Sequence, residues 1–150
     1  MRSKVVDAAR GLGLGLEVKT LSRPAYTLPE TAATVGCEAA SIAKSVVFLA
    51  DGEPVVCITS GARWVDPDRL CDVLDCAHVE AASPSEVRVA TGFAPGAVPP
   101  FGHGLRVVID EVVLGFETMW ASCGDGASVF ELHPRELADC TAAEVAPLSE

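Results

Sequence analysis

The sequence predicts a mixed α and β fold built on a largely antiparallel sheet. Strand-like segments outnumber helical ones, and several of them are neighbours across short turns. The 150 residues form a chain of common single-domain size, for which about 68–70% of the unfolded surface is buried on folding. One domain over residues 1–150 is therefore expected, with a core that needs no staples.

The elements follow in order. Ser3 to Leu12 sets Val5, Val6, Ala8, Ala9 and Leu12 on one helical stripe, which Gly11 and Gly13 end. Leu16 to Leu21 alternates apolar and polar residues as an edge strand does. Thr27-Leu28-Pro29-Glu30 reads as a capping box that opens a helix, and Gly36 closes it. Val46–Leu49 and Val55–Thr59 flank Ala50-Asp51-Gly52-Glu53, the signature of a hairpin. Asp66-Pro67 and Ser83-Pro84 each pair an N-cap with proline at the first helical position, which predicts helices over 67–75 and 84–90, the second with Glu86 completing a box. From Thr91 to Gly104 the glycines and prolines are too dense for regular structure. Strands return at Leu105–Ile109, Thr118–Ser122 and Ser128–Leu132, and a final helix opens near Pro134.

Composition narrows the function classes. With 49% hydrophobic and 21% charged residues, the chain has ample apolar surface to offset ordering entropy. Lys44, Asp51, Asp110 and Glu111 interrupt the richest apolar stretches before they reach the roughly 18 residues of a membrane span. Asp7 and Arg10 fall where a signal peptide places its apolar run, so a cytoplasmic location is expected, with no membrane partner. Eleven Lys and Arg against 21 Asp and Glu give a net charge of -10. Phosphate binding draws on basic side chains, so DNA and broad nucleic-acid coating are excluded, and any nucleic-acid partner must be gripped at one small site. The six cysteines, at 37, 57, 71, 76, 123 and 140, read as free thiols whose chemistry is incidental. Cys71, Cys76 and His78 lack the paired close spacings of zinc ligands, and His103 and His133 are remote in sequence; no metal or cofactor is expected.

The chain has no Gly-x-Ser-x-Gly elbow, no P-loop, and no Rossmann glycine triplet after a strand; Gly11, Gly13 and Gly15 fit a helix end and turn. Lys44 stands out at the mouth of an apolar strand, where a core-facing lysine is costly unless paired. Two readings stand: Lys44 points to solvent from the start of the hairpin, or it is a point charge aimed at a phosphate or a developing oxyanion. The segment Thr91–His103 is likewise either a long crossover or a loop whose glycines let backbone approach a ligand while its prolines hold it rigid.

Four segments in order, Ser41–Phe48, Thr91–Gly102, Val108–Glu111 and the glycine turn after Trp120-Ala121-Ser122, resemble the YbaK family, the prolyl-tRNA-synthetase-associated editing domains. The resemblance runs from about Glu30 to Cys140. It implies a sheet curved toward a barrel with flanking helices, and a free-standing deacylase that hydrolyses the ester of a mischarged tRNA, with a synthetase as a further possible partner. The family's lysine falls on Lys44, the catalytic candidate, and the resemblance implies that it engages the terminal region of the tRNA. Its Gly-x-x-x-Pro motif falls on Gly96 and Pro100, in a loop that shapes the amino-acid pocket with backbone groups. Ser45, Gly92, Gly96, Ala97, Val98, Pro100, Asp110 and Gly124 are the substrate-binding candidates, and Arg63 and Arg106 join Lys44 as candidate tRNA-contacting cations. The tyrosine of the cysteine-specific branch aligns near Leu21 and its acidic partner with Val129, with Tyr26 too far along to replace the tyrosine; this departs from the cysteinyl pattern. An aminoacyl ester is labile, so orientation of water or of the substrate's own hydroxyl suffices without a side-chain nucleophile. The expected substrate is of the alanyl, seryl, threonyl or cysteinyl class. A non-catalytic tRNA- or synthetase-binding protein and a small-ligand module are the competing readings.

Overall fold

Asp51 and Gly52 both take positive φ, 49° and 85°, the backbone of a tight hairpin turn whose twist matches its strands. They join β2 (Ala43–Ala50) to β3 (Glu53–Ser60), paired antiparallel along their full length from Ala43↔Ser60 to Ala50↔Glu53. The structure, a computed structural model, describes residues 2–22 and 27–149. Tyr26 lies outside them.

Around the hairpin the chain builds a five-stranded sheet in the order β4-β2-β3-β5-β8, with β4 at Val79–Ala81, β5 at Arg106–Asp110 and β8 at Glu144–Ala146. A second sheet has the order β1-β7-β6, from Val18–Thr20, Ser128–Leu132 and Met119–Ser122. An isolated bridge between Ile42 and Trp120 links the two. Most pairings are antiparallel, as the hairpin spacing predicts. However, β3–β5 and β5–β8 run parallel, because each connection carries a helix that returns the chain to the end where it started.

The helices are α1 (Arg2–Gly11), α2 (Leu28–Val35), α3 (Pro67–Leu74), α4 (Pro84–Thr91) and α5 (Pro134–Thr141). Ser83 and Glu86 form a reciprocal capping box, with the Glu86 amide donating to the Ser83 hydroxyl at 3.2 Å and the Ser83 amide donating to the Glu86 carboxylate at 2.8 Å. At α2 the Thr27 hydroxyl accepts from the Glu30 amide at 3.3 Å, but the Glu30 carboxylate takes the Thr27 hydroxyl rather than its amide. Residues 92–105 contain no helix or strand, as their glycines and prolines dictate.

Both faces of the larger sheet are covered. Val56, Ile58, Val47 and Ile109 meet α1, α4 and the second sheet in the main core, while Val55, Cys57, Phe48 and Val108 pack under Leu70 of α3 and Leu148. Alternate residues of β3 thus enter different cores, which explains why Val55–Ile58 reads as an unbroken apolar run. The six cysteines are free thiols; burial pushes Cys57, with Asp110 adding to the effect, up to about 12. Among the described residues, no helix is long and apolar enough to cross a membrane.

Candidate active site

Where the two sheets meet, a cavity of about 330 Å³ opens between β2, β6, α2 and the loop after α4. Its wall is mostly apolar, with Leu21, Ile42, Val47, Val98 and Val129 among its side chains. Lys44 is the only charged residue among the described ones that line it, and no carboxylate, imidazole or thiol joins it there. Thr27, Thr31, Ser45, Ser122 and Ser128 supply the hydroxyls.

Lys44 is the second residue of β2, opposite Thr59, rather than a residue ahead of the strand. It is half-buried, and burial pushes its ammonium below the ordinary lysine value. The ammonium lies 4.0 Å from the centroid of the Trp64 ring, whose π-face holds the charge and works against that shift. The side chain is therefore neither lost in solvent nor paired with a carboxylate among the described residues. Ser45, its neighbour in the cavity wall, has a buried hydroxyl with no hydrogen-bond partner among the described residues.

The opposite wall is made by a tight turn. Ala94-Pro95-Gly96-Ala97 closes with the Ala97 amide donating to the Ala94 carbonyl at 3.0 Å, and Gly96 has φ 80°. Proline second and a positive-φ glycine third are what a type II turn requires. The Ser122 hydroxyl donates to the Ala97 carbonyl at 3.2 Å and accepts from the Gly124 amide at 3.1 Å, fixing the turn to the end of β6.

The sequence candidates fall into two groups. Lys44, Ser45, Gly96 and Val98 line the cavity together. Ala97, Pro100, Gly92, Gly124 and Asp110 do not line it. Ala97 is buried behind the turn and acts through its carbonyl, and Pro100 is buried beyond it. Gly92 is the left-handed C-cap of α4. Gly124 is required by close packing, since a Cβ there would meet Phe93 at 2.7 Å. Asp110 is fully buried at the end of β5, where it accepts hydrogen bonds from the Thr59 hydroxyl, the Leu148 amide and the Ser149 hydroxyl, a structural role. Arg106 pairs with Glu144 at 2.9 Å beside a different cavity, which removes it from the site, whereas Arg63 precedes Trp64 in the chain.

Sequence reasoning missed Trp64, Trp120, and Thr27 and Thr31 at the start of α2 as site residues. Trp64 carried a readable signal: a large aromatic in the short polar turn between a strand and the Asp66-Pro67 cap. Leu21 and Val129, where the cysteinyl branch carries polar groups, pack against one another in the cavity wall.

Comparison with known proteins agrees with this geometry. Residues 22–140 match the aminoacyl-tRNA editing domain. The uncharacterized protein YwhH of Bacillus subtilis (strain 168) is 30% identical over 132 residues, covering 86% of this chain and 83% of that one. A proline–tRNA ligase of Nitratidesulfovibrio vulgaris (strain DP4) is 32% identical over 114 residues; the match takes in 75% of this chain but only 19% of the ligase. The crystal structure of a candidate trans-editing enzyme for prolyl tRNA synthetase superposes with a TM-score of 0.89 at 36% identity, over 99% of this chain and 96% of that one. The chain belongs to the aminoacyl-tRNA editing domain family, a family of aminoacyl-tRNA deacylases.

Proposed function

We propose that residues 1–150 act as one trans-editing domain in the cytoplasm, hydrolysing the ester that joins a small amino acid to the 3′ end of a tRNA handled by prolyl-tRNA synthetase. The observation that carries this reading is the cavity itself, apolar and closed by backbone, with Lys44 as its single charge among the described residues. Among the described residues that line it, no carboxylate or imidazole stands beside the hydroxyls as a base, and no thiol stands there as a nucleophile. What it does have is a cation to hold a phosphate or an oxyanion and a rigid turn to fix the ester, so that water or the ribose hydroxyl attacks an oriented carbonyl.

Size is the basis of selection. The wall at Gly96 and Val98 is held by the turn, and Leu21 and Val129 make apolar the stretch of wall where the cysteinyl branch carries its tyrosine and acidic residue. Alanine therefore fits best, with serine and threonine next. Editing is needed where a synthetase discriminates poorly, as between side chains differing by a methylene or two. Hydrolysis of alanyl-, seryl-, threonyl-, cysteinyl- and phenylalanyl-tRNA by the unmodified protein tests the proposal. Alanyl-tRNA is expected to turn over fastest and phenylalanyl-tRNA not at all; equal rates on those two would end the size filter, and no turnover on any would end the deacylase reading.

A further inference from the structure

Trp64 is 82% exposed, yet the turn that carries it is tied down on both sides. The Gly61 amide donates to the Ile42 carbonyl at 2.8 Å, the Arg63 amide to the Ser60 carbonyl at 3.0 Å, and the Asp66 amide to the Leu148 carbonyl at 2.7 Å. Gly61 lies so close to Ala39 and to Leu28, a cavity residue, that an added Cβ would meet the Ala39 carbonyl at 2.4 Å and the Leu28 side chain at 2.8 Å. The indole is thus presented to solvent from a fixed turn beside the cavity. A side chain of this size is ordinarily buried, and one displayed on a rigid backbone loses little entropy when something covers it. Lys44 occupies one face of the ring at 4.0 Å. The exposure leaves the other face open.

We propose that Trp64 is a stacking platform for a nucleobase of the unpaired 3′ end of the tRNA, and so a positioning residue that brings the ester to Lys44. This rests on the deacylase reading above. Charge strengthens the case: a chain of net charge -10 gains little from long-range attraction to a polyanion. Stacking is insensitive to net charge, and it accepts any base because every base has a π-face. It therefore suits an enzyme that must recognise its substrate by the amino acid while still gripping an end, CCA, that all tRNAs share. With the base on the outer face of the indole and the ammonium on the inner, the ring separates the two and orders them along one line.

The probes are the trinucleotide CCA and the same molecule lacking its terminal base, followed by tryptophan fluorescence, with deacylation measured alongside. CCA is expected to quench the emission and to bind at least about fivefold more tightly than the abasic analogue, the lower end for one stacked base. Trp64→Ala should erase that preference and raise KM by a similar factor, and Trp64→Phe, which keeps a π-face, should restore most of both. Equal binding of the two probes by the unmodified protein overturns the inference. So does a Trp64→Ala variant that loses kcat at constant KM, which would mean that the ring only holds Lys44. If no aminoacyl-tRNA is hydrolysed at all, the deacylase reading falls, and the CCA comparison still decides whether Trp64 stacks a base.

Discussion

At the scale of single residues, the site depends on one charge and one turn. Lys44→Ala is expected to lower deacylation by at least about two orders of magnitude, the range for losing one preorganised charge-assisted contact, while thermal unfolding is little altered. Arginine should restore only part of the rate, because a planar fork cannot stand in for an ammonium held at one point over the Trp64 ring. The sign of the pH dependence follows from burial. Lys44 is active as the cation and its value is lowered, so activity should fall as pH rises through a point below the ordinary lysine value of about 10.4, once spontaneous ester hydrolysis is subtracted. Near-normal turnover by the alanine variant would remove Lys44 from the chemistry. Gly96→Val is a different experiment. At φ 80° a β-branched residue adds strain of about 1–2 kcal/mol, so the turn should rearrange and deacylation collapse with a lower Tm. A variant as stable and active as the parent would show that the turn does not shape the cavity.

At the scale of elements, Asp110 ties β5 to β3 and to the segment after β8 through three buried hydrogen bonds. Asp110→Ala leaves those donors unsatisfied and should cost about 3 kcal/mol or more in urea unfolding. The folded fraction should keep its KM, since the carboxylate lies off the cavity; a large rise in KM with unchanged stability would return Asp110 to the site. Asp110 is a substrate-contact candidate only through the Val108–Glu111 segment of the family resemblance. Nothing local reveals that its partners are Thr59, Leu148 and Ser149. The hairpin, the capped helices and the irregular loop were legible, since turn, cap and breaker chemistry act within a few residues. The strands β4 and β8 were not, being three residues each and defined by what they pair with. Within the site, the motif lysine and the Pro95-Gly96 turn were visible. Trp64 against Lys44, a contact between the end of one strand and the start of another, needed the register of β2 on β3.

At the scale of the whole molecule, the net charge of -10 sets how tRNA is held. Arg106 is neutralised by Glu144, while Lys19 lies over the ring of Trp120 at the cavity and Lys44 over that of Trp64. Only a few phosphates can be met. Each contributes roughly 0.7–0.9 to the slope of log affinity against log salt, so a slope magnitude below about 4 is expected from binding titrations. A slope near that of eight or more contacts would require a basic face elsewhere. The parallel pairing of β3 with β5 bears on a different property, the order of folding. The β2–β3 hairpin closes across two turn residues, but β5 can join β3 only after everything from Gly61 to Leu105 has been looped back. Short closures are fast and long ones slow, so pulse-labelled hydrogen exchange should find the amides of 46–58 protected before those of 107–109, and simultaneous protection would refute this order. The cavity takes walls from residues before and after that closure, Lys44 and Trp120 among them, so it should form late. A ligand that fills it should therefore lengthen the lifetime of the native state without hastening its formation.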